Sequence, residues 1–233
     1  FSTRLLPSGV ISNNKGPCAV FDERETALIV LSATNSNVYN EFVKIINPTL
    51  SLPIGDFGKL PYLKINDSER QYVISHVERL LEISETDLSL FEENWEFNKN
   101  PLLKNTFAKL NTNLILASKS LYEFQEVITA EASSLEYSLN QFWCSKKLSF
   151  DDRNEKQIPT LRLNSRFRYA CNLSEEDMWD RFRRDTMTEL LSYSVGCMMG
   201  RYSLVHPGLI LADSQESQEA HLTSYEAKIS KQI

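Results

Sequence analysis

The sequence contains residue types that can catalyse reactions or bind metals, but they do not occur at the spacings that such sites require. The three histidines, His76, His206 and His221, stand apart, with no HExxH and no His pair at i, i+4. A zinc site needs several ligands at short spacings, so the sequence predicts no metal site. The patterns GxSxG, GxxxxGK[ST] and GxGxxG are also absent. The sequence therefore indicates neither a nucleophile elbow nor a phosphate-binding loop, and no catalytic residue is assigned.

Two further patterns have structural explanations. Glu92 and Glu93 could act as paired carboxylates in acid–base chemistry, but a solvated acidic flank explains them more simply. Gly196 and Gly200 form a small-xxx-small step outside any membrane-length apolar run. That step favours close helix packing.

Arginines give the stronger indication of a ligand. Arg162, Arg166 and Arg168 would share one face of an extended segment, and further arginines follow. This pattern is compatible with phosphate contacts. Alternatively, Arg181 and Arg184 pair with acids on their own helix, and the sequence leaves both interpretations open. The acids available for such pairing are Asp177, Asp180 and Asp185. The candidate DNA-binding residues are Arg4, Lys15, Arg162, Arg166, Arg168, Arg181, Arg184 and Arg201.

Composition is that of a folded protein, with 42% hydrophobic and 24% charged residues. The formal net charge of -6 does not exclude nucleic acid as a partner, because the acids concentrate in residues 66–100 while residues 156–174 contain none. No apolar run reaches the ~20 residues that cross a bilayer, and the start has no signal-peptide pattern. Four widely spaced cysteines favour a reducing cytoplasm. Because the chain does not begin with Met, we expect a piece of a longer protein.

Hydrophobic periodicity predicts the first elements. Residues 18–21 are a short strand candidate. The run 22–47 predicts two helices meeting near residues 35–37, the second capped by Asn35 or Ser36 and stopped by Pro48. Extended structure with turns is predicted to residue 64. A helix follows over 67–83, with Phe91, Trp95 and Phe97 then anchoring a polar connection to a core.

The most regular pattern is a 3.5-residue apolar seam between residues 110 and 142, with one stutter after Ile128. It predicts one long helix, or two helices broken near the stutter. Leu114, Leu121, Phe124, Ile128, Leu135 and Leu139 are expected on its buried side. Residues 161–169 alternate like a strand, and Ser174 begins a helix that reaches Met199. After Gly208 the chain becomes polar and is expected to fray.

Three blocks resemble a known family. One block is residues 34–64, TNSNVYNEFVKIINPTLSLPIGDFGKLPYLK. It is similar to the end of the target-recognition region of large adenine-specific DNA methyltransferases, where the pattern NPT is followed by GD and then by LP. Residues 91–103, FEENWEFNKNPLL, resemble that family's acidic-Trp segment. Residues 190–213, LLSYSVGCMMGRYSLVHPGLILAD, closely resemble its signature ISYxVGCMFGRYSLDxPGLIYA. We name these the NPT block, the acidic-Trp block and the GRYSL block. Together they resemble the PglX-like methyltransferases of bacterial BREX phage-exclusion systems.

The resemblance implies N6-adenine methylation with S-adenosylmethionine by a parent enzyme whose NPPY motif lies N-terminal to this region. No NPPY occurs here, and Asn47-Pro48-Thr49 mimics only its first half. Residues 134–150 are similar to the family's L-N-x-x-F helix, keeping Glu136, Leu139 and Asn140, with Trp143 for the Phe. The family's Gly after that helix is lost.

The expected fold is α+β and mostly helical. A small mixed α/β target-recognition-like unit (1–65) would precede a helical spacer with a coiled-coil-like seam (66–150). A strand plus helix with the GRYSL block (151–212) and a polar tail (213–233) would follow. The segment would position DNA in a bacterial cytoplasm, without a membrane and without a cofactor of its own. Alternatively, it is a protein interaction module that docks another subunit of the defence system.

Overall fold

The structure, a computed structural model, describes residues 2–6, 10, 18–49, 52–94, 97–104, 113–146, 174–205 and 207–210. These residues form six α-helices and a short 3-10 helix at Pro101–Leu103. The α-helices are α1 (Arg24–Thr34), α2 (Asn37–Ile46), α3 (Ile54–Phe57), α4 (Asp67–Leu88), α5 (Leu114–Ser145) and α6 (Glu175–Met198). The prediction of a mostly helical chain is confirmed.

The mixed α/β part of the fold prediction is wrong for the described residues. Residues 18–21 are not a strand, and Val20 is 90% exposed. A short apolar run forms a strand only beside a partner that completes its hydrogen-bond ladder, and none of the described segments supplies one. Their β pairing is the isolated antiparallel bridge between Tyr202 and Leu209. The other predicted strand, 161–169, lies outside the described residues.

The junction of α1 and α2 follows the prediction. Ser36 is the N-cap of α2, and its Oγ accepts a hydrogen bond from the backbone N–H of Tyr39 at 3.4 Å. Asn35 serves as the C-cap of α1. Asn47 follows α2 in an extended conformation, which suits a residue before proline, and Pro48 comes next.

Helix α4 extends five residues beyond its predicted end at Ile83. Its start carries a reciprocal cap: Glu69 N–H donates to Asn66 Oδ1, and Asn66 N–H donates to Glu69 Oε2, each at 2.9 Å. This pair satisfies two backbone donors at the helix start. Phe91 and Phe97 are buried after α4, which confirms them as anchors, while Trp95 lies outside the described residues.

Helix α5 is one continuous helix of 32 residues, so the stutter after Ile128 does not break it. Leu121, Ile128 and Leu139 are buried, and Phe124 and Leu135 are half-buried. The prediction was wrong for Leu114, which is 49% exposed. Leu114 is the first residue of the helix, where the seam has only just begun.

Helix α6 begins as predicted, because Ser174 Oγ accepts a hydrogen bond from the Asp177 N–H at 3.2 Å. The helix ends at Met198, and Gly200 follows with φ of 75°. This left-handed conformation favours glycine and stops the helix.

The chain divides into two units, each assembled from two separate stretches of sequence. The first unit comprises Phe1–Ser84 and Ala130–Arg162, and the second comprises Glu85–Thr129 and Leu163–Ile233. The residue ranges of these two units do not test the domain boundaries proposed from the sequence at residues 65, 150 and 212. Those boundaries stay predictions. Among the described residues, no helix combines the length and apolarity needed to cross a bilayer.

Within the first unit, the second half of α5 is held to α4 by ion pairs. Arg79 contacts Glu131 through two hydrogen bonds, Nε to Oε1 at 2.6 Å and Nη2 to Oε2 at 2.9 Å. Lys146, which directly follows α5, pairs with Glu69 in the first turn of α4. Within the second unit, a core cluster contains Leu90, Phe91, Leu102, Ala117, Leu121 and Phe182.

Candidate nucleic-acid interface

The structure describes four of the eight candidate DNA-binding residues. Arg4 belongs to the first unit, while Arg181, Arg184 and Arg201 belong to the second. All four are exposed. The other four candidates, Lys15, Arg162, Arg166 and Arg168, lie outside the described residues.

On α6, part of the alternative explanation is correct. Arg181 lies 3.9 Å from Asp185, and Arg183 lies 3.4 Å from Asp180. Both are surface pairs one helical turn apart, a type that contributes little to stability. Such weak pairs leave these arginines able to exchange a carboxylate for a phosphate.

Arg184 has a different environment. Together with Arg183 it lines a groove of about 310 Å³ between α6 and the first turn of α5, where Ile115 and Ser118 form the opposite wall. Leu114, Asp180 and Met187 complete the lining. No ion pair joins the Arg184 guanidinium to an acid among the described residues. The sequence did not single out Arg183 as a candidate, although its position next to Arg184 was a usable signal.

The α5 end of this groove adds a favourable field for an anion. Asn113 caps α5 by accepting a hydrogen bond from the Ile115 N–H at 2.9 Å. The helix macrodipole places a partial positive charge at this end. Two guanidinium groups and the start of α5 therefore line one groove. The carboxylate of Asp180 also lines it, and its negative charge acts against the positive charges of the arginines.

Arg4 lies at a different type of site. Its Nη1 donates to the Thr3 carbonyl oxygen at 2.7 Å, and it lines a cavity of about 140 Å³ in the first unit. The cavity wall is largely aliphatic and includes Leu31, Leu80 and Leu139. Thr3 is fixed beside this cavity because its N–H donates to Asn35 Oδ1 at 3.0 Å.

Arg201 joins two of the motif blocks. Its Nη1 is 3.8 Å from Glu92 Oε1, the same carboxylate oxygen that accepts a hydrogen bond from the Tyr202 hydroxyl at 3.0 Å. Arg201 also covers the ring of Tyr202, with 5.4 Å between guanidinium and ring centre. Burial, with the Glu92 hydrogen bond as a second cause, raises the pKa of Tyr202 to about 12. Glu92 is therefore a structural partner of the GRYSL block.

Aromatic rings form the core beneath this contact. Phe97 of the acidic-Trp block packs edge-on against Tyr193 and Tyr202 of the GRYSL block, with centroid distances of 5.9 and 5.8 Å. Tyr193 and Tyr202 stack at 5.1 Å, and both are buried. The Tyr193 hydroxyl donates to the Ser203 carbonyl oxygen at 3.3 Å. Burial raises the pKa of Tyr193 well above its ordinary value.

The glycines of the GRYSL block allow this packing. A Cβ at Gly196 would lie 2.7 Å from Cδ2 of Tyr202, closer than real Cβ contacts. Close packing at Gly196 is thus confirmed, although its partner is a ring in the following loop and not a second helix. Gly208, with φ of 78°, donates its N–H to the Asn98 carbonyl oxygen at 2.8 Å. The two blocks are therefore tied together at several points.

In the first unit, the NPT block contacts the L-N-x-x-F-like part of α5. Asn140 Oδ1 accepts a hydrogen bond from the Asn37 N–H at 2.9 Å. Trp143 is buried, contacts Tyr39 edge-on at 6.2 Å, and donates its Nε1–H to Ser32 Oγ at 2.8 Å. A Phe in place of Trp143 could not make that hydrogen bond. The larger side chain here thus has a specific partner.

The Asn47-Pro48-Thr49 turn has a local structural role. Asn47 Oδ1 accepts hydrogen bonds from the Thr49 N–H at 2.9 Å and from the Thr49 hydroxyl at 2.6 Å. Its Nδ2 donates to Asp56 Oδ2 at 2.9 Å. The Asn47 amide is thus engaged in the turn and in its link to α3.

Over the described ranges, no three His, Cys, Asp or Glu side chains group as a metal-ion site.

The sequence of the chain is similar to the sequences of known proteins. The chain is 32% identical over 229 residues to the adenine-specific methyltransferase BrxX of Escherichia coli O9:H4 (strain HS), a match covering 96% of the chain. It is 29% identical over 222 residues, or 91% of the chain, to the adenine-specific methyltransferase PglX of Lacticaseibacillus casei (strain Zhang). No protein-family model matches the chain.

Both relatives are adenine-specific methyltransferases, and the chain is homologous to one region of each. The resemblance to PglX-like proteins that was inferred from the three blocks is confirmed. The matched region is 18% of the length of the first relative and 16% of the second. The chain thus spans less than a fifth of these relatives.

Proposed function

We propose that this chain is a region of a bacterial N6-adenine-specific DNA methyltransferase of a BREX phage-defence system, and that it holds DNA in position. In this proposal another part of the parent enzyme carries the NPPY motif, binds S-adenosylmethionine and transfers the methyl group. The homology to two adenine-specific methyltransferases supports the parent activity. An enzyme that extrudes a base needs a separate grip on the duplex.

The groove between α5 and α6 is the observation that carries the proposal for the described residues. Arg183 and Arg184 both line it, and the positive end of the α5 dipole lies at the same place. Phosphate oxygens are good acceptors for such guanidinium groups. Contacts of this type fix the register of a protein on DNA without reading its sequence.

Salt-dependent DNA binding by the full-length methyltransferase tests the proposal. We expect Arg184→Ala to weaken binding about equally for all duplex sequences and to lower the slope of log K against log salt by about one unit. Arg184→Lys is the matched control, because it keeps the charge and should keep most of the slope. We expect Arg166→Ala and Arg168→Ala to behave like Arg184→Ala.

Binding by Arg184→Ala with the affinity and salt slope of the wild type would contradict the proposed role of the groove. A loss confined to one DNA sequence would also contradict it, because phosphate contacts are independent of sequence. Circular dichroism of each variant separates loss of contact from loss of folding.

Docking of another subunit of the defence system is the second candidate function. The exposed carboxylate of Glu78 on α4 favours it, because negative charge at this position repels DNA. Its neighbour Glu82 is paired with Arg79 at 3.0 Å. A stable complex with another subunit, sensitive to Glu78→Lys and formed without DNA affinity, would favour this candidate over DNA positioning.

A further inference from the structure

The second half of α6 exposes apolar side chains that the core of its own unit does not use. Leu191, Val195 and Met198 recur at i, i+4 and i+7, and are 68%, 50% and 82% exposed. Met199 beside them is 78% exposed. We name these four residues the α6 stripe. They follow one side of the helix, since this spacing brings side chains to one face.

The inward side of the same helix is already occupied. Tyr193 and Gly196 pack into the aromatic cluster of the GRYSL block, and both are buried. The stripe residues belong to that block but make no part of this cluster. Two different faces of one short sequence are therefore apolar, and only one of them is accounted for by packing within the unit.

The stripe has a chemistry that limits its partner. No charged residue occurs between Leu190 and Gly200, whereas a solvated helix face normally carries charges. Ser192 and Ser194 are exposed beside the stripe and are small enough for a close approach. A partner with buried unpaired charges would lose their hydration without compensation. The stripe therefore fits an apolar, uncharged surface and not nucleic acid.

We propose that in the full-length protein the α6 stripe is covered by another segment of the same polypeptide, one that presents an apolar, uncharged face. This inference rests on the proposed function, because it takes the chain as a region of a longer methyltransferase. More than four-fifths of the length of each relative lies outside the matched region, which spans 18% and 16% of them. That remainder is the covalently linked source of a covering face, and the local concentration of such a segment is high.

Methionine oxidation by dilute peroxide tests the proposal in the unmutated full-length protein. The rates at Met198 and Met199 are measured by mass spectrometry and compared with a synthetic peptide of residues 190–200. We expect oxidation at least about tenfold slower in the protein than in the peptide. The protection should be independent of protein concentration and present without DNA or other proteins.

A pair of variants identifies the stripe as the covered surface. Leu191→Glu should raise the oxidation rates at Met198 and Met199 in the full-length protein severalfold, because a buried carboxylate opens the contact. Leu191→Met, the matched control, keeps an apolar side chain and should keep the protection. Oxidation of the unmutated protein at the peptide rate overturns the proposal. So does protection that appears only with dimerisation, with DNA or with another subunit.

This measurement is separate from DNA affinity. Slow oxidation with no salt-dependent DNA binding would retain the covered stripe and reject the proposed function. Fast oxidation with normal DNA binding would do the reverse.

Discussion

Replacing Gly196 by alanine would test how closely α6 and the loop after it must pack. The added Cβ would lie 2.7 Å from Cδ2 and 3.1 Å from Cε2 of the Tyr202 ring. The ring is only 1% exposed, stacks on Tyr193 and is held by Glu92, so it has no free direction in which to move. The substitution must therefore displace the ring or the helix.

Two opposing effects set the size of the change. Alanine is favoured over glycine inside a helix by about 1 kcal/mol. Overpacking a filled core costs about 1–3 kcal/mol. Because the contact is with a buried ring and not with a flexible chain end, we expect the steric term to win. The free energy of unfolding should fall by up to about 2 kcal/mol.

The assay is urea-induced unfolding followed by circular dichroism, arranged as a double-mutant cycle with Tyr202→Ala. Without the ring, Gly196→Ala should become stabilising by up to about 1 kcal/mol. Gly55→Ala is the matched control, because its Cβ would meet nothing within 4 Å. Equal effects of Gly196→Ala in the presence and absence of the Tyr202 ring would refute the packing argument.

Two further predictions concern buried polar contacts. Trp143→Phe leaves buried Ser32 without its indole donor and should lower the free energy of unfolding by about 1–3 kcal/mol. Adding Ser32→Ala to this variant should lower the free energy of unfolding little further. Additive losses of the two substitutions in urea unfolding would contradict the pairing. The raised pKa of Tyr202 means that the folded state holds the phenol proton more tightly than the unfolded state, with its ordinary value of 10.0. The contribution of this pKa shift to the free energy of unfolding is thus complete below pH 10 and is lost as the pH rises towards about 12. Tyr202→Phe should make stability fall less steeply over this range, and an unchanged slope would contradict the assignment.

Local rules were sufficient for the longer helices of the fold, whereas the short helix α3 lies where extended structure with turns was predicted. The caps at Ser36 and Ser174 and the break before α2 depend on short-range side-chain chemistry, which the sequence displays directly. The seam of α5 was equally readable, because burial of one helix face produces a regular spacing. Leu114 was missed since periodicity does not tell where the covering core begins.

Long-range pairing set the limit of sequence reasoning at the candidate sites. Nothing in the local pattern indicated that Glu92 would accept the hydroxyl of Tyr202, 110 positions later. The short run around Val20 had strand composition, but a strand also depends on a partner that composition does not reveal. Arg184 could be singled out as basic, whereas its groove with Ile115 required the two helices to be placed.

The interleaved make-up of the two units has a consequence for exchanging parts between relatives. Each unit combines an early stretch with a late one, and α4 and α5 each contribute residues to both. A chimaera joined at a single point near residue 110 would separate Glu92 from Tyr202, and Ser32 from Trp143, giving each unit halves of different ancestry. Grafts that replace both stretches of a unit at once would keep these pairs matched. The acidic-Trp and GRYSL blocks should therefore be inherited and engineered as a single part.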